Sequence, residues 1–225
     1  MIRFYIRHMI NSVNNLITIQ ETLKNKIKIS KQSNIIAVSK TFPIKNIFPL
    51  INHGHEHYGE NKVQEAIEKW ATIKQDFTNI KLHMIGKLQT NKVKHVIPLF
   101  DYIHTLDNLK LAEKIATEEI KRNRKLKIFI QVNIGKEEQK NGIDIENLNK
   151  FYQHCKIDFS LNVVGLMCIP PQDGSSATYY SELKRINSEM GLTELSMGMS
   201  DDYLDAITNH ATFLRIGSKI FGKRD

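Results

Sequence analysis

Lys40 ends an apolar run, Asn34-Ile-Ile-Ala-Val-Ser-Lys40, and a lysine there has two readings. As a surface charge it is ordinary, because lysine is among the residues least often buried. In a pocket that lowers its amine pKa it becomes a nucleophile able to form a Schiff base with an aldehyde. Two segments late in the chain have the makings of a phosphate cradle: Ser196-Met-Gly-Met-Ser200 and Gly217-Ser218, the latter just after Arg215. Glycine lets the backbone approach an anion, serine adds hydroxyl donors, and a helix N-terminus adds aligned N–H groups. Together these residues describe capture of a phosphorylated carbonyl compound.

Other constellations carry less. His53-Gly-His-Glu-His57 matches the H-x-x-E-H pattern, but that motif needs both outer histidines on one helical face, and Gly54 breaks the helix. Solvated loop histidines are the expectation, with no metal site. Cys168 stands near a strand end, yet no base or cation is assignable beside it, so core packing is expected for it and for Cys155. Asp201-Asp202 reads as a helix opening, where acids cap the dipole. Trp70 lies on an apolar helix face and reads as core.

Positioning these groups falls to a repeating alternation. An opening helical pattern, roughly 9–27, precedes the run ending at Lys40. Further strand-like runs follow at 57–60, 81–86, 102–107, 127–134, 161–169, 193–199 and 213–217. Helical stretches between them cover roughly 44–53, 61–74, 91–99, 109–122, 145–154, 177–190 and 201–209. Strands joined through helices imply parallel pairing and right-handed crossovers. Near-continuous apolar strands agree, since parallel sheets are covered on both faces. The 225 residues leave about 28 per unit, enough for a (β/α)8 TIM barrel. An open doubly wound sheet is the alternative, though no Gly-x-Gly-x-x-Gly follows the first strand. The expected architecture is α/β: a single TIM barrel over residues 1–225 with an additional N-terminal helix. In such a barrel, chemistry gathers where the strands end.

The chain is 41% hydrophobic and 25% charged, ordinary globular material. No apolar run approaches the ~18 residues of a membrane span. Two cysteines suggest a reducing compartment, and the cytoplasm is the expected location. Met1-Ile-Arg-Phe-Tyr-Ile-Arg-His8 is too interrupted by charge for a secretory signal. Residues 1–8 are read as an optional, disordered extension, with an organellar leader as the other reading. The net charge of +8 would suit nucleic acid, anionic lipid or a phosphorylated ligand. Its densest stretch, residues 121–127, falls at a helix end and reads as solvated charge, so no specific nucleic acid is expected.

Five segments carry a family resemblance: Ala37-Val-Ser-Lys40, Tyr58-Gly-Glu-Asn-Lys-Val-Gln-Glu65, His83-Met-Ile-Gly86 with Leu88-Gln-Thr-Asn-Lys92, Leu195-Ser-Met-Gly-Met-Ser-Asp-Asp202, and Arg215-Ile-Gly-Ser-Lys-Ile-Phe-Gly222. From about residue 34 onward the chain resembles the pyridoxal phosphate homeostasis proteins (the YggS/PROSC family). That family is a single barrel of the alanine racemase N-terminal-domain type. The resemblance implies pyridoxal 5′-phosphate (PLP) as cofactor, with Lys40 forming the Schiff base and Asn61 beside the ring. It implies that Ser196, Gly217 and Ser218 hold the phosphate and that Arg215 faces the pyridine nitrogen. Ser218 stands where threonine is usual, and Lys87 where histidine or another non-basic residue is common. An arginine keeps that nitrogen unprotonated, which weakens the ring as an electron sink. Racemisation in alanine racemase also needs a tyrosine from a partner subunit and a further β-domain, which this chain is expected to lack. The implied role is PLP (vitamin B6) homeostasis by a monomer, with apo PLP-dependent enzymes as recipients. A small PLP-dependent amino-acid racemase is the alternative, and a basic RNA-binding barrel ranks last.

Overall fold

Short runs such as Ile35–Val38 and Ile128–Val132 are buried along their length, because each is covered by a barrel interior on one side and helices on the other. The computed structural model describes residues 2–26, 33–137 and 139–222. Its strands are β1 (Asn34–Val38), β2 (His57–Glu60), β3 (Lys81–Met84), β4 (Tyr102–Leu106), β5 (Lys127–Val132), β6 (Val163–Cys168), β7 (Glu194–Ser196) and β8 (Phe213–Ile216). They pair in parallel in chain order, and β8 closes on β1 with Asn34 opposite Phe213 and Ala37 opposite Ile216. The expected closed barrel is what forms, and the open sheet is excluded.

Around the barrel run α1 (Ile2–Lys26), α2 (Ile44–Asn52), α3 (Val63–Trp70), α4 (Ile73–Asp76), α5 (Val93–Leu99), α6 (Leu109–Arg122), α7 (Ile145–Gln153), α8 (Ser176–Glu189), α9 (Tyr203–Thr208) and α10 (Ser218–Phe221). Helix α6 shows how sequence sets these. Asn108 caps it by accepting the Leu111 N–H at 2.9 Å, and Leu111, Ala112, Ile115 and Ala116 bury one face. Asn123 ends it in the left-handed region at φ 47°. Period-two alternation divides the strand residues. Ile35, Ala37, Leu82, Ile128, Ile130 and Leu214 pack outward against helices, while Ile36, Tyr102, Phe129, Met167 and Phe213 fill the barrel's interior.

Several boundaries differ from the sequence reading. Helix α1 begins at Ile2, so it takes in most of the stretch read as an extension; Met1 lies outside the described residues. The expected 61–74 helix breaks into α3 and α4. The helix after β5 ends in a π turn over His154–Asp158. The basic stretch after α6 is not merely solvated: Arg124 donates to the carbonyls of Pro98 and Phe100 and pairs with Asp101. Those carbonyls end α5, where cations are favoured by the helix dipole.

Candidate functional site

Lys40 lies two residues beyond Val38, in the turn that leaves the C-terminal end of β1. Register places its neighbours. Val38 pairs with Gly59, so Asn61, two residues on, sits beside Lys40 at the mouth. On the other side Ala37 pairs with Ile216, which brings Gly217 against Val38. Lys40, Asn61, Gly217 and Ser218 therefore share one rim, at the strand ends of β8, β1 and β2.

The residues flanking Lys40 are tied down by groups that sequence reading missed. The Ser39 hydroxyl donates to Glu60 Oε1 at 2.7 Å, and Lys69 Nζ donates to the Ser39 carbonyl at 2.9 Å and to Glu60 at 3.0 Å. Trp70 Nε1 donates to the same carboxylate oxygen at 3.0 Å, so this core residue is also a polar anchor. Just past Lys40, the Thr41 N–H reaches Glu65 Oε1 at 2.6 Å, with Thr41 held at φ 68°. A β-branched residue in the left-handed region is strained and persists only where its surroundings impose it. These spacings look like helix amphipathicity in the sequence; only the fold shows that Glu60, Glu65 and Lys69 converge on the lysine's neighbours.

Asn61 and Gly86 are in close contact. A Cβ on Gly86 would stand 2.3 Å from the Asn61 carbonyl oxygen, so only glycine permits the approach. The Asn61 Oδ1 is buried without a hydrogen-bond partner, which makes it an acceptor available to a ligand. Lys87 spans the mouth to Asn141 Oδ1 at 2.8 Å, so this cation braces the loop after β5.

Beneath the rim, Arg215 is buried, 6% exposed. Its Nη1 donates to Ser196 Oγ and its Nη2 to the Cys168 carbonyl, each at 2.8 Å. Burial pulls its pKa below the ordinary guanidinium value, yet the group stays charged at accessible pH. Among the described residues no carboxylate lies within ion-pair distance of it. A buried cation with no carboxylate in direct contact, its charge met only at a distance by Asp202, suits an electron-rich ligand atom placed against it.

Ser196 is not where the sequence reading put it. It pairs with Phe213, four residues before Gly217, which corresponds to roughly 13 Å along the strand at ~3.3 Å per residue. Its hydroxyl is fully buried between Arg215 and His104 Nδ1, the latter at 2.8 Å. The serine that reaches the rim is Ser200, whose Oγ accepts the Lys219 N–H at 3.4 Å. Its loop is closed by Asp202, which accepts the Met199 N–H at 2.6 Å and the Tyr180 hydroxyl at 2.7 Å. Asp202 stands at the N-cap of α9, as the sequence implies, but its carboxylate reaches back to this loop rather than to the helix's own N–H groups.

The remaining expectations divide. Cys155 and Cys168 are buried, and burial pushes both thiols up to about 12. His57, by contrast, is no loop histidine. It opens β2, faces into the barrel and lies 2.9 Å from His83, while His55 is pulled down to about 4 by burial. The sequence already places His57 at the start of a strand over 57–60, and alternation along β2 turns its ring inward. No group of three metal-binding side chains converges among the described residues. A cavity of about 510 Å³, lined in part by Tyr102, Lys127 and Phe213, opens at the opposite end, where the strands begin. It lacks the lysine, asparagine and glycine that meet at the rim.

Comparison with known proteins bears on this arrangement. A family model described as alanine racemase, N-terminal domain, matches residues 13–225. The chain is 37% identical over 201 residues to the pyridoxal phosphate homeostasis protein of Aquifex aeolicus, covering 85% of this chain and 87% of that one. The protein of the same name in Escherichia coli is 32% identical over 204 residues, with 87% of each covered. The chain belongs to the pyridoxal phosphate homeostasis protein family. PipY of Synechococcus elongatus, solved with PLP bound, is 30% identical with a TM-score of 0.83, covering 94% of this chain and all of that one (100%). An alanine racemase of Clostridium difficile, at 16% identity and a TM-score of 0.71, shares the fold; 95% of this chain and 57% of that one are covered.

Proposed function

We propose that this member of the pyridoxal phosphate homeostasis family holds PLP as a Schiff base on Lys40 and serves intracellular PLP (vitamin B6) homeostasis. The observation that carries the reading is the buried Arg215, without a direct carboxylate partner, beneath a rim shared by Lys40 and the unpartnered Asn61 oxygen. The names of the relatives and the PLP bound to PipY support it. When bound, PLP supplies an aldehyde, whose carbon the Lys40 amine joins with loss of water, and a ring that accepts electron density.

The chain's own residues do the rest. Gly217, Ser218 and Ser200 form the end that receives the phosphate, Asn61 accepts a hydrogen bond at the ring edge, and Arg215 donates toward the ring nitrogen. Ser196 is reassigned from phosphate holder to support of Arg215. Because the guanidinium keeps its proton, it leaves the nitrogen without one, which favours holding the cofactor over turning substrates over. Two buried, unpaired cysteines agree with a cytoplasmic setting. No described helix is long and apolar enough to cross a membrane. The protein acts as a monomer, with apo PLP-dependent enzymes as recipients.

The test is visible absorbance after incubation with PLP and removal of the excess. Wild type should keep a band above the protein's own absorbance, and Lys40→Ala should lose it. The same loaded sample should show no sustained turnover of D- or L-alanine; Lys40-dependent racemisation would instead establish the enzyme reading.

A further inference from the structure

Barrel interiors of this type are ordinarily filled by layers of apolar side chains. Here three imidazoles run through the interior in series. His57 Nδ1 lies 2.9 Å from His83 Nε2, His83 Nδ1 lies 2.9 Å from His104 Nε2, and His104 Nδ1 lies 2.8 Å from Ser196 Oγ. Arg215 completes the series by donating to the same serine oxygen at 2.8 Å. Tyr102 stacks on His83 with ring centroids 4.2 Å apart, and Phe129 on His104 at 4.4 Å, so both rings are clamped. His83, His104 and Ser196 are fully buried, while His57, near the strand-start end, is partly exposed. Burial holds the pKa values of His83 and His104 well below the usual imidazole value, so both are neutral.

A neutral imidazole has one donor and one acceptor nitrogen, so a series of them must point one way. The guanidinium fixes that direction because it can only donate. Ser196 Oγ accepts from it, and the hydroxyl proton goes to His104 Nδ1. His104 then carries its own proton on Nε2 and donates to His83 Nδ1, and His83 donates from Nε2 to His57 Nδ1. The opposite direction would aim two donors at Ser196 Oγ and leave its hydroxyl proton without that buried acceptor, an arrangement that buried polar groups avoid.

We infer that His104 is a positioning residue for Arg215, fixing the guanidinium through Ser196, and that His83 and His57 hold His104 in the Nε2–H tautomer this requires. The inference rests on the proposed placement of Arg215 opposite the ring nitrogen of PLP. It adds a chain of support running from the rim's underside to the far end of the barrel.

The decisive experiment is long-range proton–nitrogen correlation spectroscopy of the imidazoles in the full-length, nitrogen-15-labelled protein, before and after loading with PLP. His83 and His104 should both show a protonated Nε2 and a bare Nδ1 at about pH 7. A protonated Nδ1 on His104 overturns the inference. Two variants give the second readout. His104→Asn retains an acceptor near the Nδ1 position, whereas His104→Phe removes it. The dissociation constant for PLP should rise about tenfold in His104→Phe and stay within about twofold of wild type in His104→Asn. An equal loss in both means that His104 only fills space and refutes the positioning role. If His104→Phe does not fold, the wild-type tautomers decide alone. A wild type that forms no Lys40-dependent band refutes the proposed function, while the tautomers, read without PLP, still decide the direction of the chain.

Discussion

As the pH falls through about 6.5, a histidine in the unfolded chain takes up a proton before His83 or His104 does in the folded barrel, where burial holds both well below the usual imidazole value. Burial depresses both folded pKa values, so the unfolded state binds more protons. Stability is therefore complete above about pH 6.5 and is lost as the pH falls toward the folded values. Each histidine held neutral in this way costs up to about 1.4 kcal/mol per pH unit in that interval, so the pair makes the acid side markedly less stable. Against a typical total of about 5–15 kcal/mol that is a large loss. Carboxylates contribute little there, since they are mostly ionised in both states above about pH 5. Urea denaturation at about pH 6 and about pH 5, followed by the fluorescence of the single, fully buried Trp70, reads the effect. His104→Asn removes one of the two groups and should shrink the acid loss by up to about half. An identical decline in variant and wild type would refute the claim that a neutral imidazole is held in the core.

Glu60→Ala should destabilise the protein by about 3–5 kcal/mol, because it strips a buried carboxylate from Lys69, Ser39 and Trp70; a loss under about 1 kcal/mol in urea would show that the cluster contributes little. Gly86→Ala forces a methyl group against the Asn61 backbone and should cost about 1–3 kcal/mol. It should also weaken PLP retention, and unchanged stability and retention would contradict the close-approach argument. With both thiols pushed up to about 12, neither Cys155 nor Cys168 should react with a thiol reagent at neutral pH until the protein unfolds. Rapid labelling of the native protein would contradict that.

The barrel was legible because its strands are short apolar runs, such as Asn34–Val38 and Lys127–Val132, punctuated by amphipathic helices. The family motifs single out Lys40, Asn61, Arg215, Gly217 and Ser218, and register explains why segments so far apart in sequence end on one side of the barrel. What escaped is what depends on register alone. The Ser-Met-Gly-Met-Ser run does not say which serine reaches the rim; pairing with Phe213 sinks Ser196 and leaves Ser200 beside the Lys219 N–H, at the start of α10. His57, His83 and His104 lie on three successive strands and form a series only when β2, β3 and β4 stand side by side facing inward. No local pattern in the chain announces that. Glu60 and Lys69 escaped likewise, since their convergence on Ser39 is tertiary.

The central claim is a covalent PLP site at Lys40, and the most direct test locates the attachment. The loaded protein is treated with borohydride, which fixes an imine as a stable amine, then digested and mapped by mass spectrometry. A pyridoxyl phosphate group on the peptide bearing Lys40, and on no other lysine at comparable occupancy, is the predicted result. Modification concentrated on Lys87, spread over surface lysines, or absent would contradict it.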